Sequence, residues 1–168
     1  NQEQLLDQAS LLEWHPDNVT AALLGGCRIV VREGERLIIA PVPLPEGIGT
    51  VLFVPETPMP TSEARAVLDP SVSREDAVYN IGRGALLVNA LATGRIEDLR
   101  VATEDRLHQP ARQALFPAMN NIFRAALEAG ALGVFLSGGG STVLALTRGR
   151  EMTIGYEMAE AAKLSSVN

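Results

Sequence analysis

With 168 residues, 46% of them hydrophobic, and Val, Ile and Leu mixed with abundant Ala and Gly, the chain is long enough to bury a core and too apolar to stay disordered. A formal net charge of −6 with no Lys/Arg run argues against a nucleic-acid footprint or an electrostatic membrane surface, and no stretch approaches the 18 to 20 apolar residues of a membrane span. One cysteine, Cys27, excludes an intrachain disulfide or a CxxC metal site and makes a reducing cytoplasm the default.

Leu5, Ala9 and Leu12 recur at helical spacing, so residues 3–12 read as an amphipathic helix. The chain starts without methionine, in what reads as the middle of that helix. Next comes Glu13-Trp14-His15-Pro16-Asp17-Asn18-Val19, followed by an apolar run to Gly25-Gly26. Pro16 favours an extended His15, and Asp17 or Asn18 suits a helix N-cap, with the helix running to Leu24. Polar side chains at such a positive end can hold a small polar substrate, and the same residues equally suit an ordinary capped turn.

Residues 28–32 and 37–40 predict a hairpin about Gly34, with Pro41, Pro43 and Pro45 interrupting the pairing. Gly49 to Val54 reads as a further strand, ended by Pro55. Thr61 or Ser62 is the expected cap of a helix to about Leu68 that carries Arg65. Ser73 starts another helix, with Ala77, Ile81, Ala85, Val88 and Ala92 as the expected packing stripe up to Gly94. Asp105 to Pro110 is a polar stretch before one long or broken helix from 111 to 130, with Pro117 at the join. Strands over 133–137 and 142–147 flank Gly138-Gly139-Gly140, and Ile154, Met158 and Ala161 or Ala162 mark a last amphipathic helix. One hairpin and irregular alternation favour an α+β fold, a mixed or antiparallel sheet packed with helices, over a doubly wound parallel sheet.

Three sets of residues carry chemistry by type. The triple glycine lets backbone N–H groups approach a ligand, though it lacks the Gly-Lys-Ser/Thr of a phosphate loop and taken alone favours a plain hairpin turn. Arg65, Arg83, Arg106 and Arg112 lie near loops; two that converged would suit a carboxylate, while any one alone suits a surface ion pair. His15 and His108 are far apart with no metal-ligand spacing, so no metal site is expected, and His108 reads as structural.

Five blocks in order, Glu13 to Gly26, Pro60 to Arg65, Tyr79-Asn80-Ile81-Gly82-Arg83, Asp105 to Pro110 and Ser137-Gly138-Gly139-Gly140-Ser141-Thr142, resemble the homoserine kinases of the GHMP kinase superfamily. The resemblance implies a tail of the superfamily's N-terminal domain over 1–50 and its ferredoxin-like C-terminal domain over 51–168. It implies ATP- and Mg2+-dependent phosphorylation of the L-homoserine hydroxyl, with a homodimer as a family expectation. Carried over, His15, Asp17, Asn18, Thr61, Arg65 and Arg112 line the amino-acid site, and Gly138, Gly139 and Gly140 lie by substrate and phosphates. Asp17 would meet the ammonium and Asn18 the reacting hydroxyl; a carboxamide is no general base, so positioning and electrostatics carry the transfer.

The departures are Trp14 where the family usually has glycine, Ser141 where it has proline, and Gly139 for another small residue. The nucleotide loop of the family's N-terminal half is not in this sequence, which therefore reads as the C-terminal half, inactive until the other is supplied. A non-catalytic amino-acid-binding fragment and another small-molecule kinase, such as one for mevalonate, are the competing expectations.

Overall fold

The computed structural model describes residues 2–13, 16–56 and 58–167, which divide into two compact units between Pro45 and Glu46. The first unit holds helices α1 (Gln2–Glu13) and α2 (Pro16–Leu24) and strands β1 (Cys27–Glu33) and β2 (Arg36–Val42). α1 packs on α2, but not through the expected stripe: Leu12 is 83% exposed, while Leu6 and Ser10 are buried. Close helix contact is made by a leucine and a small residue one position along, a shift of about 100° around the helix. α2 begins at Pro16, whose fixed φ and missing N–H suit a first helical position, so Asp17 and Asn18 occupy the first turn instead of capping it.

β1 and β2 pair antiparallel, Glu33 opposite Arg36 across the two-residue turn Gly34-Glu35. Pairing continues through Pro41, opposite Arg28, to Val42, so the first proline does not interrupt it. Counted from the closing pair, Pro41 falls on a position whose N side points away from the partner, where no ladder bond is lost.

The second unit is built on a three-stranded sheet, β3 (Gly49–Phe53), β5 (Val143–Thr147) and β4 (Gly133–Leu136), in the order β3-β5-β4 and antiparallel throughout. α7 (Met119–Glu128) and α8 (Glu151–Leu164) cover one face. Ile122, Ala126, Val143, Ala145, Ile154, Met158 and Ala162 are fully buried there, at the positions that α8's periodicity predicts. On the way run α3 (Thr61–Ala66), α4 (Arg74–Thr93), a 3-10 turn Ile96–Asp98, α5 (Leu99–Ala102) and α6 (Gln109–Arg112). Thr61 does not cap α3; Pro60 holds the cap position without a side-chain bond and Thr61 is the first helical residue. Ser73 does cap α4, accepting the Asp76 N–H at 3.0 Å.

The expected stripe on α4 is not its packed face. Ile81 is 71% exposed, and Ala90 and Leu91 are buried instead. Small residues occur on several sides of this helix, so their period fixes no orientation; Tyr79, Asn80 and Arg83 face the rest of the unit through polar bonds. Pro110 sits in the first turn of α6, which stops at Arg112, so the helix expected over 111–130 is two helices split around Pro117. β4 passes so close to α5 that a Cβ on Gly133 would lie 2.9 Å from the Leu99 carbonyl oxygen, which excludes any larger residue.

Candidate functional site

α6 is four residues long and could not persist alone. Asp105 builds it. Its Oδ2 accepts the N–H groups of His108 (2.8 Å) and Gln109 (2.7 Å), which the helix start leaves without intrahelical partners. Its Oδ1 accepts the Asn80 amide at 2.6 Å, and Asn80 Oδ1 in turn accepts the Arg106 N–H at 2.9 Å. Burial would raise the Asp105 carboxyl, but the N–H groups of Gln109 and His108 and the Asn80 amide together hold it below the usual carboxylate range. At the far side of α6, Gln109 Oε1 accepts the Leu136 N–H at 2.8 Å, tying the helix to the end of β4 and so to the glycine loop.

Arg112, 8% exposed, is therefore placed between two other motif blocks. Its Nε donates to the Ala64 carbonyl (3.1 Å), and its Nη1 to the Gly138 carbonyl (3.1 Å) and to His108 Nδ1 (3.0 Å). Those bonds use three of the five guanidinium donors; among the described residues, the two on Nη2 meet no partner. Burial pushes the Arg112 pKa down; Asp105 opposes this, and the positive charge of Arg65 adds to it. Arg112 holds the carbonyl of Ala64, the residue that precedes Arg65 on α3, which puts both arginines on the same side of the unit.

The glycine loop closes the same region. Gly138 and Gly140 have left-handed φ of 58° and 91°, and a Cβ on Gly140 would meet the Met59 methyl at 2.9 Å. Among the described residues the N–H groups of Gly138 and Gly139 donate to nothing, whereas Gly140 N–H bonds Ser137 O at 3.1 Å. The Gly139 Cα faces the buried Ala64, so α3 and the loop touch. Free N–H groups, the Nη2 edge of Arg112 and the Arg65 charge together favour a bound carboxylate or phosphate oxygen.

Arg83 and Arg106 are engaged in a separate network. Arg83 stacks 3.4 Å over the Tyr79 ring and pairs with Glu104 at 3.2 Å; Arg106 lies 3.9 Å over the ring's centre and pairs with Glu75 at 3.1 Å. The Tyr79 hydroxyl, burial opposing it, leads in holding the Glu104 carboxyl low, with Arg83 next. This network fastens α4 to the loop before α6.

Of the residues the resemblance assigns, Thr61 and Arg65 (exposed, on α3), Arg112 and Gly138 to Gly140 lie in the second unit. Asp17 and Asn18 are exposed in the first, where Asp17 Oδ1 accepts the Asn18 N–H at 2.9 Å. His15 and Trp14 lie outside the described residues. Asp105 and Asn80 are missed by residue type; the available signal was an aspartate four residues before a proline-containing helix start. A cleft of about 510 Å³ on the other flank of α6, between Pro110, Gln113, Met119 and Phe123, contains none of the assigned residues.

Residues 87–162 match the family model described as GHMP kinases C terminal. The chain is 46% identical over 158 residues to a homoserine kinase of Moorella thermoacetica, covering 94% of this chain and 53% of that protein. Against a homoserine kinase of Gloeobacter violaceus the identity is 50% over 139 residues, 83% of this chain and 46% of the relative. The crystal structure of homoserine kinase from Cytophaga hutchinsonii superposes with a TM-score of 0.86 at 29% identity, over 92% of this chain and 49% of that one. The likeness is thus to homoserine kinases along nearly the whole sequence, and the chain spans about half the length of the curated relatives it matches.

Proposed function

We propose that this chain supplies the amino-acid side of a homoserine kinase, binding L-homoserine so that its hydroxyl can be phosphorylated to O-phospho-L-homoserine. The observation that carries the reading is the cradle in the second unit: a buried Arg112 oriented by three bonds, Arg65 beside it, and the N–H groups of Gly138 and Gly139, which have no partner among the described residues. The substrate carboxylate sits on the guanidinium pair, Thr61 hydrogen-bonds it, and the glycine loop offers its N–H groups to oxygens of the substrate or of the transferring phosphoryl group. The resemblance also assigns His15, Asp17 and Asn18 to the amino acid, Asp17 to its ammonium and Asn18 to its hydroxyl.

ATP and Mg2+ supply the phosphoryl group and its charge neutralisation in such enzymes. Among the described residues no three His, Cys, Asp or Glu side chains come together as a metal site; the nucleotide loop is assigned to the half of the relatives this chain does not span, so this chain's part in the transfer is confined to the substrate and to the N–H groups of the glycine loop. Among the described residues no helix is long and apolar enough to cross a membrane, and a cytoplasmic enzyme, dimeric as an expectation, fits the proposal.

Calorimetry with L-homoserine, and ADP release by this chain alone and together with a GHMP kinase N-terminal half, test the reading. The expected result is turnover only with both halves, and homoserine binding weakened at least about tenfold by Arg112→Ala or Arg65→Ala. Homoserine binding unchanged in both variants would refute the carboxylate assignment.

A further inference from the structure

A guanidinium is all donor, so the histidine nitrogen it meets must be an acceptor. Arg112 Nη1 lies 3.0 Å from His108 Nδ1, which therefore carries no proton, and the proton of the neutral ring sits on Nε2. Nε2 lies 3.6 Å from Asp105 Oδ1, too long for a hydrogen bond but on the side where a carboxylate favours an N–H. Asp105 is itself immobilised, its side chain 6% exposed and held by four hydrogen bonds from Asn80, Leu107, His108 and Gln109. The chain of contacts runs from α4 through Asp105 and His108 to Arg112 and the Gly138 carbonyl.

We propose that His108, fixed as its Nε2–H tautomer between Asp105 and Arg112, is a positioning residue that sets the plane of the Arg112 guanidinium and turns its Nη2 edge toward the bound carboxylate. The proposal rests on the homoserine-site reading for the identity of that ligand and on the geometry alone for the tautomer. The charged groups about the ring are Asp105 and Arg112, with Arg65 acting on Arg112 from α3; Arg83 and Glu104, on the wall of the same 200 Å³ cleft, are paired with each other. Protonating Nδ1 would set an N–H against the guanidinium N–H, so one proton uncouples the ring from Arg112. Burial and Arg112 both press the His108 pKa down, with Asp105 opposing, in keeping with a ring used in its neutral form.

The chain has two histidines, so long-range 1H–15N correlation spectra of the labelled protein resolve both rings, with His108 assigned by its disappearance in His108→Asn. The expected spectrum at about pH 8 shows an unprotonated Nδ1 and a protonated Nε2. The Arg112 Nη1–H proton that faces His108 Nδ1, assigned with Arg112→Lys, is expected to be protected from exchange and to lose that protection as His108 titrates. His108→Leu removes the protection, whereas His108→Asn, whose carboxamide oxygen stands in for Nδ1, keeps it. Homoserine then binds about tenfold more weakly to the Leu than to the Asn variant. An Nδ1–H tautomer, or Arg112 protection unchanged as His108 titrates in the wild-type chain, overturns the proposal without any variant having to fold. Correct tautomer and coupling with no homoserine binding would sink the substrate reading and leave the positioning role standing.

Discussion

Asp105 spends both carboxylate oxygens on groups that would otherwise be buried without partners. Its replacement by alanine should therefore cost about 2–4 kcal/mol, since the orphaned N–H groups and the Asn80 amide lose their acceptor together. Urea denaturation measures this; Asp105→Asn, which keeps one acceptor, should lose less. The acid response follows from two depressed groups. His108 sits below its ordinary 6.5 and Asp105 below its ordinary 3.8, so the unfolded chain binds more protons than the native one just below each ordinary value. Stability contributed by His108 is fully present above about 6.5 and fades as the pH falls toward its native value; that of Asp105 is present above about 4 and is lost further down. The melting temperature followed from pH 8 downward should drop in two steps, and His108→Asn should remove the first.

Among elements, those set by periodic burial were legible. Ile154, Met158 and Ala162 lie in the core because a well-spaced apolar row leaves one orientation, and Ser73 caps α4 because a serine followed by Asp76 suits that job in most contexts. α4's own orientation was not legible, because alanines and glycines give no contrast between its sides and the face that packs is held by Tyr79, Asn80 and Arg83. The cradle was legible as candidates only: which two of four arginines converge depends on ion pairs formed with residues 21 to 31 positions away. The approach of β4 to α5 was hidden for the same reason. Gly133→Ala should destabilise by about 1–3 kcal/mol, because the obstacle is the Leu99 backbone oxygen and cannot rotate aside. Met158→Ala, leaving a void in the fully buried row of α8, should cost about 2–5 kcal/mol in the same denaturation assay.

For the molecule as a whole, the two units differ in what each can bury. Among the described residues the first has Leu6, Ser10, Thr20 and Val42 buried, whereas the second holds a continuous core from Phe116 to Ala162. Residues 46–168 expressed alone should keep a cooperative thermal transition by circular dichroism, and residues 1–45 alone should show none; a cooperative melt of the short piece would contradict this.

The bonds that tie the cradle's separate elements together join positions remote along the chain: Asn80 to Asp105 across 25 residues, Arg112 to Gly138 across 26, Gln109 to Leu136 across 27, and Arg112 to Ala64 across 48. Each closes a loop whose entropy must be met before the contact forms, so the ligand-binding geometry belongs to the last stage of folding. In stopped-flow kinetics, truncations at Asp105, Gln109 and Arg112 should leave the refolding arm nearly unmoved and speed unfolding, while those at Ile122 and Val143 should slow refolding. The stability lost on altering this cradle would then appear as a shorter lifetime of the folded chain.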